Sequence, residues 1–83
     1  MTVYIIYSRS LSRFYCGQTD DIEIRLQQHN SGRNKSTKRG VPWEIVHTVE
    51  CIDRSESVRL EQRIKKRGIK RYLTDNGVTV PGE

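Results

Sequence analysis

The sequence is poor in the features that mark several large protein classes. It has two cysteines, Cys16 and Cys51, far apart, with no CxxC pair and no Cys/His cluster. A structural zinc site needs about four such ligands, which argues against one here. Without a framework of paired cysteines, both thiols are expected to be reduced and buried. No apolar run approaches the roughly 20 residues that span a bilayer. The stretch "MTVYIIYSRS" carries no basic leader before its apolar run and no small-residue cleavage site. An intracellular, cytoplasmic protein without a membrane partner is the expectation. There is no internal repeat and no low-complexity tract. Hydrophobic residues make up 34% of 83, enough for one domain with a thin core.

Basic charge is plentiful. Fifteen Lys and Arg stand against ten Asp and Glu, giving a net charge of +5. The surplus is local. Residues 56–71 hold Arg59, Arg63, Lys65, Lys66, Arg67, Lys70 and Arg71 against Glu56 and Glu61, an excess as large as that of the whole chain. A second run, "GRNKSTKRG", contains Arg33, Lys35, Lys38 and Arg39 and no acid. Such clusters suit a polyanion, most simply nucleic acid, although a merely solubilising face has the same composition. Neither cluster sits opposite a broad apolar face with exposed Trp or Phe, which argues against a membrane surface.

"TVYIIYS" (2–8) is β-branched and aromatic, apolar at successive positions, and reads as a strand covered on both faces. "RFYCGQ" (13–18) is close enough to pair with it as a hairpin, with Tyr15 and Gly17 on one face and Phe14 and Cys16 on the other. The segment 19–32 reads as a helix, with Asp20 and Glu23 at capping-box spacing, Ile22 and Leu26 facing the core, and Asn30-Ser31-Gly32 as the exit. A basic loop (33–42) leads to "WEIVHTVEC" (43–51). Its alternation predicts a strand with Trp43, Ile45, His47, Val49 and Cys51 on one mainly apolar face. Residues 53–68 form a second helix from Asp53 to Gly68, with Val58, Leu60 and Ile64 inward. Residues 69–77 can form a short third helix burying Ile69, Tyr72 and Leu73. The expected fold is α/β (α+β): a small three-stranded, mainly antiparallel sheet flanked by helices, in the order β-β-α-β-α-(α). Residues 1–77 would be the domain and 78–83 a C-terminal tail.

This order, with these residues, resembles the GIY-YIG nuclease superfamily, small stand-alone members above all. The triplets that name the family correspond to "TVY" (2–4) and "YCG" (15–17), where Tyr4, Tyr15 and Gly17 match. Arg25 and His29 in "RLQQHN", then "NSG", "RGVPWEIVH" and "SESVRLEQRIK", follow at similar spacing across residues 2–75. The resemblance implies a metal-dependent endonuclease acting on nucleic acid, chiefly DNA, with links to repair or recombination. It carries over Tyr4 and Tyr15 as the motif tyrosines, Arg25 as the helix arginine, and His29 as a position that is often His or Tyr. By the same resemblance Glu61 would be the single acidic ligand for Mg²⁺ or Mn²⁺, and Gly17 would permit a close approach at the strand end. Two departures stand out. Gln18 occupies the position where some members have Lys, and Asn76 is the only candidate for the family's later Asn.

The chemistry is coherent with those residues. Glu61 offers oxygen to a hard cation. Arg25 offers a planar fork suited to phosphate and would favour a nearby phenolate, lowering that tyrosine's pKa. Tyr4 or Tyr15 would then activate water, with His29 relaying a proton or orienting a phenol. Arg33, Lys35, Lys38, Arg39, Arg63, Lys66, Arg67 and Lys70 would grip the backbone without reading its sequence. Singly, each residue has a plainer reading: packing for the tyrosines, solvation for Arg25, a helix-end charge for His29, and an exposed ion pair with Lys65 for Glu61. Two alternatives to a self-sufficient enzyme stay open, a non-catalytic nucleic-acid-binding module and a nuclease subunit active only with a partner protein.

Overall fold

The structure, a computed structural model, describes residues 1–81. The order is β1 (Thr2–Ser8), β2 (Arg13–Thr19), α1 (Ile22–Asn30), a 3-10 turn at Lys38–Gly40, β3 (Trp43–Glu50), α2 (Arg54–Arg67) and α3 (Ile69–Asp75). The strands form a fully antiparallel sheet in the order β2-β1-β3. The last two residues of the expected tail, 82 and 83, lie outside the described residues. Val80 of that segment is buried against the core and Val78 packs beside it.

Every residue of β1 is buried because the strand is central and helices cover both its faces. Val3 and Ile5 face one side. They join Cys16, Ile64 and Leu73 in a cluster closed by Leu60 of α2 and by Ile69 and Tyr72 of α3. Tyr4 and Ile6 face the other side, with Trp43, and there Ile22 and Leu26 of α1 cover them. The two α2–α3 helices and α1 therefore lie on opposite faces of the sheet. Both cysteines are free and buried. Burial, with some help from nearby Glu61, pushes the Cys16 thiol up to about 12, so it is inert as a nucleophile.

Three details depart from the sequence expectation. The N-cap of α1 is Asp21, not Asp20: its Oδ1 accepts from the Ile24 amide at 3.1 Å, while the Thr19 hydroxyl accepts from the Asp21 amide at 3.2 Å. Two adjacent aspartates made the register ambiguous by one residue. In β3 the alternation breaks. Ile5 pairs with His47 but Ile6 pairs with Ile45, leaving Val46 as a bulge. The bulge moves Val46, with Val49, to the α2 face, while Trp43 stays on the α1 face. In α2 the inward position is Ser57, fully buried and bonded to the Gln18 side chain, whereas Val58 is only half-buried. The start and stop of α2 match expectation. Asp53 Oδ1 accepts from the Glu56 amide at 2.9 Å, and Gly68 ends the helix at φ +96°, a conformation that favours glycine.

Ile64 is wholly buried at the centre of the α2 cluster. Ile64→Ala is expected to cost roughly 2–5 kcal/mol, a large part of the stability of so small a domain. Urea unfolding should show a lower midpoint with unchanged slope. An unchanged midpoint would contradict this packing.

Candidate active site

The site is built around the Tyr4 hydroxyl. Tyr4 lies in β1 opposite Gly17 of β2, on the face covered by α1. A Cβ at position 17 would stand 2.6 Å from the Tyr4 hydroxyl oxygen, so only glycine leaves room for the phenol. Two side chains of α1, four residues apart, reach that oxygen. His29 Nε2 lies 2.8 Å away, and Arg25 Nε donates to it at 3.3 Å. His29 is fully buried for a residue at a helix end. Its ring meets Tyr15 edge-on, centroids 4.9 Å apart, and Tyr15 stands 6.2 Å from Tyr4. Tyr4, Tyr15, Arg25 and His29 thus form one cluster from three elements.

Burial dominates the electrostatics. It raises the Tyr4 pKa above the usual phenol value, and the hydrogen bond from Arg25 offsets this only in part. The expectation that Arg25 would lower the phenol's pKa is therefore corrected: desolvation of a strand-centre tyrosine outweighs one partly exposed cation. The His29 pKa falls because of burial and then Arg25, which keeps the imidazole neutral at pH 7. Arg25 is held the more firmly charged by its bond to Tyr4.

Glu61 is placed differently. It sits on α2, across the sheet from α1, with its side chain 19% exposed. Its Oε2 accepts from Lys65 Nζ at 2.8 Å, the expected i, i+4 pair. It lies near Cys16, whose neighbour Tyr15 points to the opposite face. Glu61 and the tyrosine cluster therefore flank the edge strand β2 from its two sides. Asn76 caps α3, donating to the Tyr72 carbonyl at 2.8 Å, and joins neither group.

The sequence reading missed two side chains. Thr37, fully buried, places its Oγ1 2.9 Å from His29 Nδ1. Asn30 does more than end the helix. Its Oδ1 accepts from the Trp43 amide at 2.6 Å and its Nδ2 donates to the Trp43 carbonyl at 3.1 Å, tying α1 to β3. A single Thr inside a basic loop carries no periodicity that would single it out. That loop presents Arg33, Lys35, Lys38 and Arg39 to solvent. Arg25 borders two grooves of about 500 and about 320 Å³. The first also takes in Ile24, Gln28 and Arg33, the second Gln18 and Arg54. Arg63, Lys66, Arg67 and Lys70 are exposed on α2 and α3, where Asp75 takes Arg67 at 2.8 and 3.1 Å.

A sequence model of the GIY-YIG catalytic domain matches residues 1–72. The chain belongs to the GIY-YIG family. Its relatives include a "UPF0213 protein" of Oceanobacillus iheyensis, 38% identical over 77% of this chain and 74% of the relative. Another, of Haloquadratum walsbyi, is 37% identical over 94% of this chain and 90% of its own length. A third, of Serratia liquefaciens, is 43% identical over 63% of this chain and only 52% of its own length. No solved structure matches. GIY-YIG domains are nuclease domains that act on nucleic acid and generally use a divalent metal. No helix among the described residues is long and apolar enough to cross a membrane.

Among the described residues of this GIY-YIG chain, no three His, Cys, Asp or Glu side chains gather as a metal cage. The donors fit a hard cation held by one carboxylate and water, not a tetrahedral zinc site. In this structure the Glu61 oxygen that would meet such a cation is paired with the Lys65 ammonium at 2.8 Å.

Gly17→Ala must push the Tyr4 phenol aside, because the ring is buried and cannot swing away. Overpacking of this kind costs about 1–3 kcal/mol. A crystal structure of the variant is expected to show the Tyr4–His29 bond broken or lengthened. An undisturbed bond would contradict the assigned role of Gly17.

Proposed function

We propose that this protein is an endonuclease that hydrolyses DNA phosphodiester bonds, leaving 5′-phosphate and 3′-hydroxyl ends. The single observation that carries this reading is the Tyr4 oxygen held by both His29 and Arg25, beside the grooves that Arg25 borders. Tyr4 is the general base in this reading, taking a proton from the attacking water. A phenolate there is stabilised by the Arg25 charge and by a hydrogen bond from the imidazole. Arg25, with further N–H groups on its fork, also holds a non-bridging phosphate oxygen. Tyr15 packs on His29 and borders the path of the strand along the edge of β2. Glu61 would hold one Mg²⁺ or Mn²⁺ once Lys65 swings aside. When bound, the ion supplies Lewis-acid stabilisation of the leaving oxygen. The loop 33–39 and the outer residues of α2 and α3 grip backbone phosphates, which gives salt-sensitive binding with little sequence preference. Work in DNA repair or recombination suits such a domain.

A second reading, a subunit active only with a protein partner, is favoured by the exposure of Ile24, Ile45 and above all Ile52, which is 89% exposed. It differs in one outcome, no cleavage by the isolated chain.

The test is incubation of purified protein with plasmid, forked and single-stranded DNA in Mg²⁺ or Mn²⁺. Arg25→Ala and Glu61→Ala should each slow cleavage by roughly 100-fold or more. Equal cleavage by either variant would sink the assignment. The pH profile follows from the raised Tyr4 pKa. The phenolate fraction, and with it the rate, should climb from neutral pH to above about pH 10. Tyr4→Phe should abolish the climb. A plateau near pH 7 in the wild type would rule Tyr4 out as the base.

A further inference from the structure

We infer that Thr37 is a positioning residue that fixes the tautomer of His29, so that the imidazole donates to the Tyr4 oxygen once the phenol is ionised. The inference rests on the nuclease reading for its purpose but not for its geometry. Four groups lie in a row: Arg25 Nε donates to the Tyr4 oxygen, that oxygen meets His29 Nε2 at 2.8 Å, and His29 Nδ1 meets Thr37 Oγ1 at 2.9 Å. Arg25 has no choice of role, since a guanidinium only donates. The imidazole, neutral at pH 7, has one N–H, and two arrangements are open to it.

In the first, Nδ1–H donates to Thr37 and Tyr4 donates to Nε2. The Thr37 proton then has no acceptor, because His29 is the only hydrogen-bond partner of that hydroxyl among the described residues. Thr37 is fully buried, so water cannot supply one. In the second, Thr37 donates to Nδ1 and Nε2–H donates to Tyr4. Here the unmatched proton is that of Tyr4, which already receives Arg25 and His29. That proton is the one general-base catalysis must remove. Once that proton leaves past Arg25, the half-exposed member of the row, every donor has an acceptor, and the phenolate can take a proton from the attacking water on the same side. Unpaired buried polar groups are the expensive ones, so the row is complete only with Tyr4 ionised.

Thr37 is built to hold this position. Its amide donates to the Asn34 carbonyl at 3.2 Å, and its own carbonyl accepts from the Gly40 amide at 3.1 Å and the Trp43 indole N–H at 2.7 Å. The titratable groups facing the imidazole are Tyr4 of β1, Tyr15 of β2 and Arg25 of α1; from β3 the uncharged Trp43 packs on Tyr15 and bonds the Thr37 carbonyl. None of them can replace the Thr37 hydroxyl at Nδ1. The same residue lies inside the basic loop, so the loop that would grip phosphate is pinned directly to the histidine.

The test begins without DNA. Nitrogen-15 spectra of histidine-labelled protein, followed from pH 8 to above about pH 10, report the tautomer, with His47→Gln separating the second histidine, which lies on the other face of the sheet. The wild type is expected to show His29 as the Nε2–H tautomer at the alkaline end, where Tyr4 ionises. Thr37→Ser should keep it, and Thr37→Val, which removes the hydroxyl at nearly constant shape, should populate the Nδ1–H form. In cleavage assays Thr37→Val should move the rising limb of the pH profile to higher pH and slow the reaction at pH 8 on the order of tenfold. A wild-type Nδ1–H tautomer that persists at the alkaline end overturns the inference whatever the variants do. So does a folded Thr37→Val protein with unchanged tautomer and unchanged pH profile. If the wild type cleaves no DNA, the nuclease reading fails while the tautomer spectra still decide the role of Thr37.

Discussion

The Tyr4 hydroxyl is an acceptor buried at the centre of the sheet, and the site is arranged by the need to satisfy it. A phenol can sit there only because Gly17 faces it across the hairpin. It can remain there only because α1 brings His29 and Arg25 to the same oxygen. Both side chains come from α1, a helix of only nine residues. Ile22 and Leu26 bury one stripe of α1, and Arg25 and His29 occupy the neighbouring stripe. Asn30 then closes the helix by binding both polar groups of the Trp43 peptide, which locks α1 to β3. The loop between them is held by Thr37 on one side and by the Trp43 indole on the other. Packing and chemistry use the same residues.

The opposite face of the sheet is simpler. There α2 and α3 bury an aliphatic cluster around Ile64 and Leu73, and the polar contacts lie at its border. Ser57 holds Gln18 at the end of β2, and Glu61 holds Lys65 beside the same strand. Gln18 stands where some family members have Lys. Here it serves as an anchor between β2 and α2, and the cation near Glu61 is Lys65. The edge strand β2 is therefore the line where the two halves of the proposed site meet.

Much of the fold was legible in the sequence because the signals were local. The uniformly apolar β1 announced a covered central strand, and Asp53 and Gly68 marked both ends of α2. The misses came from longer-range causes. The bulge at Val46 is set by pairing with β1 and leaves no mark in the alternation of β3. Asp20 and Asp21 differ only in which one the Thr19 hydroxyl supports. Within the site, the family resemblance grouped Tyr4, Tyr15, Arg25 and His29, and the structure brings their side chains together. What spacing could not convey is depth. The burial of Tyr4 raises its pKa against the pull of Arg25, and the burial of Thr37 makes an ordinary loop hydroxyl a partner of the histidine. Nor could it convey that Glu61 approaches β2 from the other side of the sheet.

The central claim is that a phosphodiester lies along the edge of β2 between Arg25 and Glu61, with Tyr4 behind it. A crystal structure of Glu61→Gln with bound forked DNA tests it most directly. The account predicts a phosphate in contact with the Arg25 guanidinium, the residue 61 side chain on its far side, and the Tyr4 oxygen facing the phosphorus. DNA bound only across the basic surface of α2 and α3, with the edge of β2 untouched, would contradict it.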